Sequence, residues 1–367
     1  MRTPVTHEPI TLATLDRVRI RLEEVEAQTL SPHAALSGRS QGRQHPDDES
    51  PMRTAFQRDR DRVLHSPSFR RLKHKTQVFI APQGDYYRTR LTHVLEVSQV
   101  GRTIARALRL NEDLVEAIAM GHDLGHGPFG HAGEAAIAKA MGVPYRHNMQ
   151  SLRIVDVLEK HGRGLNLTAE VRDGILNHSK PRAGLLADGG PGWPITLEGQ
   201  IMRLADAIAY INHDVDDAIR AGVIALSDVP AAALAALGET HAARINTMVA
   251  DCIVTNWWAT GEDGGPAKDG GIVLSEPVLH AADTLRDFMF ARVYTGPEVT
   301  PERQRAERVV TALWHYFEAN PEAMPEDSRA MAEAEGLSIA LRDYIAGMTD
   351  LYALACFDDI HHPKLFV

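Results

Sequence analysis

Alternation of apolar and polar residues, the mark of a half-buried strand, is almost missing from this chain; its best strand candidate is the short run Gly270-Gly271-Ile272-Val273-Leu274. Helical spacing recurs instead, and caps and glycines punctuate it. Leu15, Val18, Leu22 and Val25 predict a helix over residues 12–30. Residues 31–51, rich in Ser, Gly, Pro and His, read as a mobile loop. The mixed-charge run from Met52 reads as a solvated helix with internal ion pairs, and "APQGDYYRTR" as a turn. A helix is expected from about Thr92 to Leu110. Asn111 caps another, with Glu112 and Asp113 in its first turn, ending near Gly121 to Gly125. The stretch from His131 to Met141 stops at Gly142, and Asn148 and Thr168 are candidate caps for the next two helices. Leu197 to Ala221 reads as one long helix closed by Gly222. Ser227 is the expected cap of an Ala/Leu helix ending at Gly238, with more helix to about Trp258. A Gly-rich loop over 261–271, a helix opened by Pro301 through Phe317, and a last helix from Ser338 to Phe357 complete an all-α, mostly helical expectation.

Charge narrows the function classes. The formal net charge is −10, so a polyanion would be met through a local basic site or a metal; nucleic acid is a possible partner that the charge does not indicate. The two cysteines, Cys252 and Cys356, make neither a disulfide framework nor a C-x-x-C zinc pattern. Met1-Arg2-Thr3-Pro4 opens no apolar signal core, and no stretch is apolar for long enough to span a bilayer, so the expectation is a cytoplasmic protein with no membrane partner.

Histidine is the unusual residue. There are 18, many of them between His93 and His178. The centre of this region is "GHDLGHGPFGHAGE", ending at Glu134. His122 and Asp123 are adjacent, so on a regular helix their side chains diverge by about 100° and share an ion only if it sits between the two vectors. His93 precedes them on its own helix. Asp206 lies on the apolar face of the long helix, where an unpaired carboxylate is costly. Two His and two Asp form a mixed nitrogen and oxygen donor set suited to one divalent ion: Mn, Fe, Co, Ni or Zn, and with less preference Mg. A single helical His is ordinarily a satisfied core or surface residue; four such residues converging on one point are not. Gly125, Gly127, Pro128 and Gly130 break the helix after the His-Asp pair and turn His126 and His131 toward a cleft. Imidazole exchanges protons near neutral pH, Glu134 is spaced to hold one such ring, and His147 is a further candidate.

These residues carry a family resemblance. His93, His122-Asp123 and Asp206 match the H…HD…D signature of HD-domain phosphohydrolases. Longer stretches resemble the bacterial dGTPase-like branch: "FQRDRDRVLHSPSFRRLKHKTQVF", "GDYYRTRLTHVLEVSQV", "GHDLGHGPFGHAGE", "TLEGQIMRLADAIAYINHDVDDAIRAG" and "DYIAGMTDLYAL". The resemblance runs from about Arg53 to Asp359. It implies an HD-domain helical core over 53–225, an N-terminal helix and loop over 1–52, and a C-terminal helical extension over 226–367. It also implies metal-dependent hydrolysis of deoxynucleoside triphosphates to deoxynucleoside and inorganic triphosphate. Carried over, His93, His122, Asp123 and Asp206 are metal ligands and His126 is the catalytic histidine, supported by Glu134 with His147 nearby. Many relatives have Asp where Glu134 stands. Arg90 and His131 would contact the triphosphate, and Gln77, Tyr210 and Asp214 the sugar. Tyr210 and Asp214 follow Asp206 by four and eight residues, hence on roughly one helical face. Arg88, Lys73 and Lys75 are further phosphate candidates. "FQRDRDR" has a subunit contact as its alternative role, and "DYIAGMTD" reads as packing. The resemblance also implies a homo-oligomer and an activating dNTP.

Three other readings compete. His122-Asp123-Leu124-Gly125-His126 superficially matches the zinc-peptidase H-E-x-x-H, but Asp replaces Glu and the glycines weaken the helix that motif needs. Another HD-domain enzyme, acting on nucleoside monophosphates or alarmones, shares the same ligands. A catalytically idle nucleotide-sensing or DNA-binding protein is the non-enzymatic reading.

Overall fold

The structure, a computed structural model, describes residues 12–77, 88–179, 192–262, 271–296 and 300–361. Among these residues the chain is helical and has no strand; its β-type pairing is limited to two isolated bridges, Arg43 with Thr168 and Thr76 with Thr89. The Ile272-Val273-Leu274 run is irregular, with a bend at Ile272. Its N–H groups go to side chains, Ile272 to Gln200 and Val273 to Asn256, so no neighbouring strand is needed.

The helices in order are α1 (Leu12–Thr29), α2 (Ala55–Leu64), α3 (Pro67–Arg71), α4 (Arg90–Ala107), α5 (Glu112–Gly121), α6 (His131–Met141), α7 (His147–Arg153) and the single turn α8 (Glu159–Gly162). There follow α9 (Ala169–Asn177), α10 (Leu197–Arg220), α11 (Ala231–Leu237), α12 (His241–Thr255), α13 (Glu276–Met289), α14 (Thr300–Ala319), α15 (Glu326–Glu335), α16 (Leu337–Ala346) and α17 (Asp350–His361). The helix α10 is the axis. It packs on α4, α5, α9, α12 and α13, and most of its side chains are buried, which explains an apolar face wide enough to be read from sequence. The first core gathers around it from α2, α4, α5 and α9 to α13. A second core joins α6 to α14, α16 and α17, with Phe129, Ile137, Leu313, Trp314 and Ile345 inside it.

Local chemistry explains most boundaries. The Asn111 side chain accepts from the N–H groups of Asp113 and Leu114, as its position implied. Asn148 is no cap: α7 already begins at His147, and the Asn148 amide donates to the Leu176 carbonyl, joining α7 to α9. The Thr168 hydroxyl donates to Asp59 rather than closing its own helix. Ser227 sits in a 3-10 turn, and the helix it was expected to cap starts at Ala231 after Pro230. The expected last helix is two, α16 and α17, meeting at a corner over residues 347–349. Helices α13 and α15 had not been singled out.

The 31–51 segment is irregular but tied down. Ser40 and Gln41 bind Glu170, Ser37 binds Glu26, and Arg43 reaches Asp59 and the Asn166 carbonyl. Within "FQRDRDR", Asp59 is fully buried and accepts from the Thr168 N–H at 2.8 Å, while Arg60 and Arg62 pair with Glu116 and Asp47. This run is therefore a network within the chain rather than only a solvated helix. Residues 81–87 of the expected turn and 263–270 of the Gly-rich loop lie outside the described residues. No described helix is long and apolar enough to cross a membrane.

Candidate metal centre and active site

Three helices deliver four side chains to one point. The helix α4 brings His93, the end of α5 brings His122 and Asp123, and α10 brings Asp206. His93 Nε2 lies 3.2 Å from Asp206 Oδ1 and 3.9 Å from Asp123 Oδ2. His122 Nε2 lies 3.3 Å from Asp123 Oδ1 and 3.9 Å from Asp206 Oδ1. His122 keeps helical backbone angles, φ −64° and ψ −38°, and its Nε2 still comes within 3.3 Å of the adjacent Asp123 carboxylate.

The chemistry of the donors fits a cation. The His122 Nδ1–H donates to the Ala119 carbonyl at 2.7 Å, leaving an Nε2 lone pair aimed at the carboxylates. That Nε2 is buried and has no hydrogen-bond partner. An orphaned imidazole nitrogen beside two carboxylates is costly unless something positive lies between them, and His93, His122 and Asp123 each offer a ligand atom within 4.8 Å of the others. Asp123 is held well below the usual carboxylate range: burial works against ionisation, but His122, His126 and Arg90 outweigh it. The Arg90 guanidinium, itself buried, reaches Asp123 Oδ2 at 2.9 Å, so this is no surface ion pair.

Beyond Asp123 the chain turns sharply. Gly125 passes so close to α7 that a β-carbon there would lie 2.2 Å from the His147 carbonyl oxygen and 2.3 Å from the Ser151 nitrogen. Its N–H donates to the Ser151 hydroxyl, which in turn donates to the His122 carbonyl. Phe129, although not glycine, has φ +61°, and Gly130 has φ +55°. This turn aims His126 Nε2 back at Asp123 Oδ1, 3.1 Å away, while Nδ1 bonds Glu134.

Glu134 is shared. It meets His126 Nδ1, lies 3.3 Å from His131 Nδ1 and 3.8 Å from His147 Nδ1. Burial opposes its charge, but the three imidazoles keep it well below the usual range. The His126 and His147 rings stack at 3.9 Å between centroids. Burial, Arg90 and His147 together push His126 down to about 4, whereas the Glu134 hydrogen bond overcomes burial and raises His147. His131 is 80% exposed and opens on solvent.

The remaining candidates are less central. The Asp214 carboxyl bonds the Tyr294 hydroxyl and is raised to about 7, chiefly by burial; among the charges acting on it are those of His93 and His131. Its Oδ1 is buried and unpartnered, as is Oε1 of Gln77. Tyr210 is half-buried on the same helix. Arg88 is spent on Glu96 and Asp217, Lys73 is exposed, and the buried Lys75 donates to the carbonyls of His126 and Ala346. Two neighbours were not foreseen. His178 Nε2 stands 3.2 Å from His147 Nε2, and its only early signal was the crowding of histidines. Tyr294 sits in a π turn 80 residues from Asp214 in sequence and carried no local signal.

A helical domain that focuses imidazoles and carboxylates on one cation position, beside a carboxylate-held histidine, defines the class: a metal-dependent phosphohydrolase of the HD type. The HD domain family matches residues 90–211, and the phosphohydrolase-associated domain matches residues 272–359. Similarity extends over nearly the whole chain. A deoxyguanosinetriphosphate triphosphohydrolase-like protein of Caldanaerobacter subterraneus subsp. tengcongensis is 51% identical over 348 residues, covering 95% of this chain and 97% of the relative. Proteins of the same name from Clostridium tetani and Desulfatibacillum aliphaticivorans are each 44% identical, covering 95% of this chain and 98% and 99% of their own. The chain belongs to the deoxyguanosinetriphosphate triphosphohydrolase-like family.

Proposed function

We propose that this chain hydrolyses deoxynucleoside triphosphates, dGTP or several dNTPs, to the deoxynucleoside and inorganic triphosphate. The observation that carries the reading is the orphaned His122 Nε2, turned onto Asp123, Asp206 and His93 one turn away from a carboxylate-held imidazole. His93, His122, Asp123 and Asp206 would hold one divalent ion, of Mn, Mg, Co, Ni, Fe or Zn. Such an ion supplies Lewis acidity toward a phosphoryl oxygen and acidifies water.

The protein's own groups then act as follows. Glu134 fixes the proton on His126 Nδ1 and leaves Nε2 facing the cluster. His126 Nε2 takes the proton of the attacking water and returns it to the departing 5′-oxygen, with His147 stacked behind it. His131 and Arg90 attract the phosphates, His131 from the solvent side and Arg90 from beside Asp123. The unpartnered oxygens of Gln77 and Asp214 accept from a sugar hydroxyl, and Tyr210 limits the room at the 2′ position. Asp214 stands about 12 Å along α10 from Asp206 at 1.5 Å per residue. A sugar gripped there sets the α-phosphate, rather than the γ-phosphate, nearest the cluster. Attack at that phosphorus breaks its bond to the 5′-oxygen.

Hydrolysis in oxygen-18 water tests this, with all four dNTPs supplied singly and mixed and with Mg, Mn and Co in turn. Label in triphosphate and none in the nucleoside is expected. Deoxynucleoside monophosphate plus pyrophosphate would overturn the mechanism. The mixed-dNTP arm also tests activation by a second dNTP, and sedimentation of the same preparation tests assembly into a homo-oligomer.

A further inference from the structure

The corner between α16 and α17 grips the two segments that border the site. The Asp350 Oδ1 accepts from the Phe129 N–H at 2.8 Å, and Oδ2 accepts from the Thr76 N–H at 2.9 Å and from the Thr76 hydroxyl. Lys75 Nζ bridges the carbonyls of His126 and Ala346. Arg71 donates to the Gly347 carbonyl at 3.1 Å. The Phe129 side chain is 3% exposed in the second core, against the same helices. A β-carbon on Gly127 would lie 3.9 Å from the Ala346 Cα, an ordinary van der Waals distance that places this turn beside the end of α16.

A bulky residue with positive φ persists only where its surroundings over-determine it. Phe129 is such a residue, three positions after His126, and its N–H and its ring are both held from the C-terminal region. The residues on the other side of the grip lead to Gln77, whose carbonyl lies 3.7 Å from the place a β-carbon would take on Gly130; the Arg90 guanidinium is 3.3 Å from that same place. The Asp350 carboxylate, together with the Lys75 ammonium on the His126 carbonyl, therefore sets the spacing between the His126 turn and the 75–77 segment.

We infer that Asp350 is a positioning residue: the corner over residues 346–350 holds the His126 turn in the geometry its chemistry needs, without touching substrate or metal. This rests on the proposed hydrolytic role for the part of its test that reads turnover. Asparagine offers one acceptor oxygen where the carboxylate offers two, and its amide would face an N–H donor, so Asp350→Asn can hold only one of the two segments. Glutamate keeps both oxygens, displaced by one methylene.

The experiment uses the full chain loaded with Mn. Amide hydrogen exchange is followed by peptide, together with metal content and kcat and KM for the best dNTP. The expected result for Asp350→Asn is exchange at least about tenfold faster in residues 126–131 and in 75–77, unchanged metal content, kcat lower by about 100-fold, and a smaller rise in KM because Gln77 and His131 lie in the loosened segments. Asp350→Glu should recover part of both the protection and kcat. Unchanged exchange and kcat in Asp350→Asn would overturn the inference. So would faster exchange spread evenly over α14 to α17, accompanied by no recovery in Asp350→Glu, because that pattern marks simple unfolding. A wild type that turns over no dNTP sinks the triphosphohydrolase reading alone, since the exchange arm needs no substrate.

Discussion

Glu198 ties the start of α10 to the rest of the chain, and its protonation should set the pH dependence of stability. The residue is fully buried. Its Oε1 accepts from the N–H groups of Ala35 at 2.9 Å and Asn111 at 3.0 Å, while Oε2 has no partner. Burial pushes its pKa from an ordinary 4.5 to about 7, although the N–H donors work in the opposite direction. The folded chain thus keeps a proton that the unfolded chain gives up near 4.5. Between these values the folded state binds more protons, and stability must fall as the pH rises. The full contribution is present below 4.5 and is lost above about 7. A displacement of this size corresponds to about 3 kcal/mol. Glu198→Gln removes the titration but keeps the accepting oxygen. Its amide is left without an acceptor, a penalty of about 1–3 kcal/mol that is the same at every pH. Denaturant unfolding of both proteins from pH 5 to 8.5 should therefore show the variant gaining on wild type by about 2.5 kcal/mol across the range. A difference that stays flat, or grows in favour of wild type with rising pH, would refute the reasoning.

Other outcomes follow from the site. Asp206→Ala should lose most bound metal after dialysis, measured by elemental analysis, and turnover with it; full occupancy would remove Asp206 from the ligand set. His126→Ala should keep its metal and lose at least about 100-fold in kcat; near-normal turnover would shift the proton-carrying role to His131 or His147. Gly125→Ala should lower unfolding stability by about 2–3 kcal/mol in denaturant titrations, because its β-carbon meets backbone rather than a yielding side chain. GTP should be hydrolysed far more slowly than dGTP in parallel assays if Tyr210 has the proposed place beside the 2′ position; equal rates would count against that contact.

Signals that live within one turn of helix could be read in advance. Asn111 before Glu112, Gly142 after Met141 and the wide apolar face of α10 are such signals, and each stands where the periodicity puts it. Signals that need a partner far away in sequence could not. Asn148 and Thr168 have the chemistry of caps, but Leu176 and Asp59 offer their side chains better bonds. Residues 31–51 look mobile by composition because nothing in them announces Glu170 or Asp59. The site divides in the same way. His93, His122, Asp123 and Asp206 could be chosen by type and spacing, but their meeting depends on how α4, α5 and α10 cross. Asp350, in a segment read as packing, grips the His126 turn through backbone N–H groups that no side-chain pattern reveals.

The second core bears on how such chains can be recombined. Residues of α6, between the His126 turn and Met141, contribute Ala132, Ala136 and Ile137 to the same apolar cluster as Leu313, Trp314 and Ile345. The HD match ends at residue 211 and the associated match begins at 272, yet the packing seam runs through α6, deep inside the HD match. A chimera joined between those two matches would set one parent's α6 against the other parent's α14 and α16, with mismatched volumes directly beside the His126 turn. Exchange of the C-terminal region between relatives should succeed when residues 127–141 travel with it, which makes this helix the inherited half of a lock whose other half is encoded more than 150 residues later.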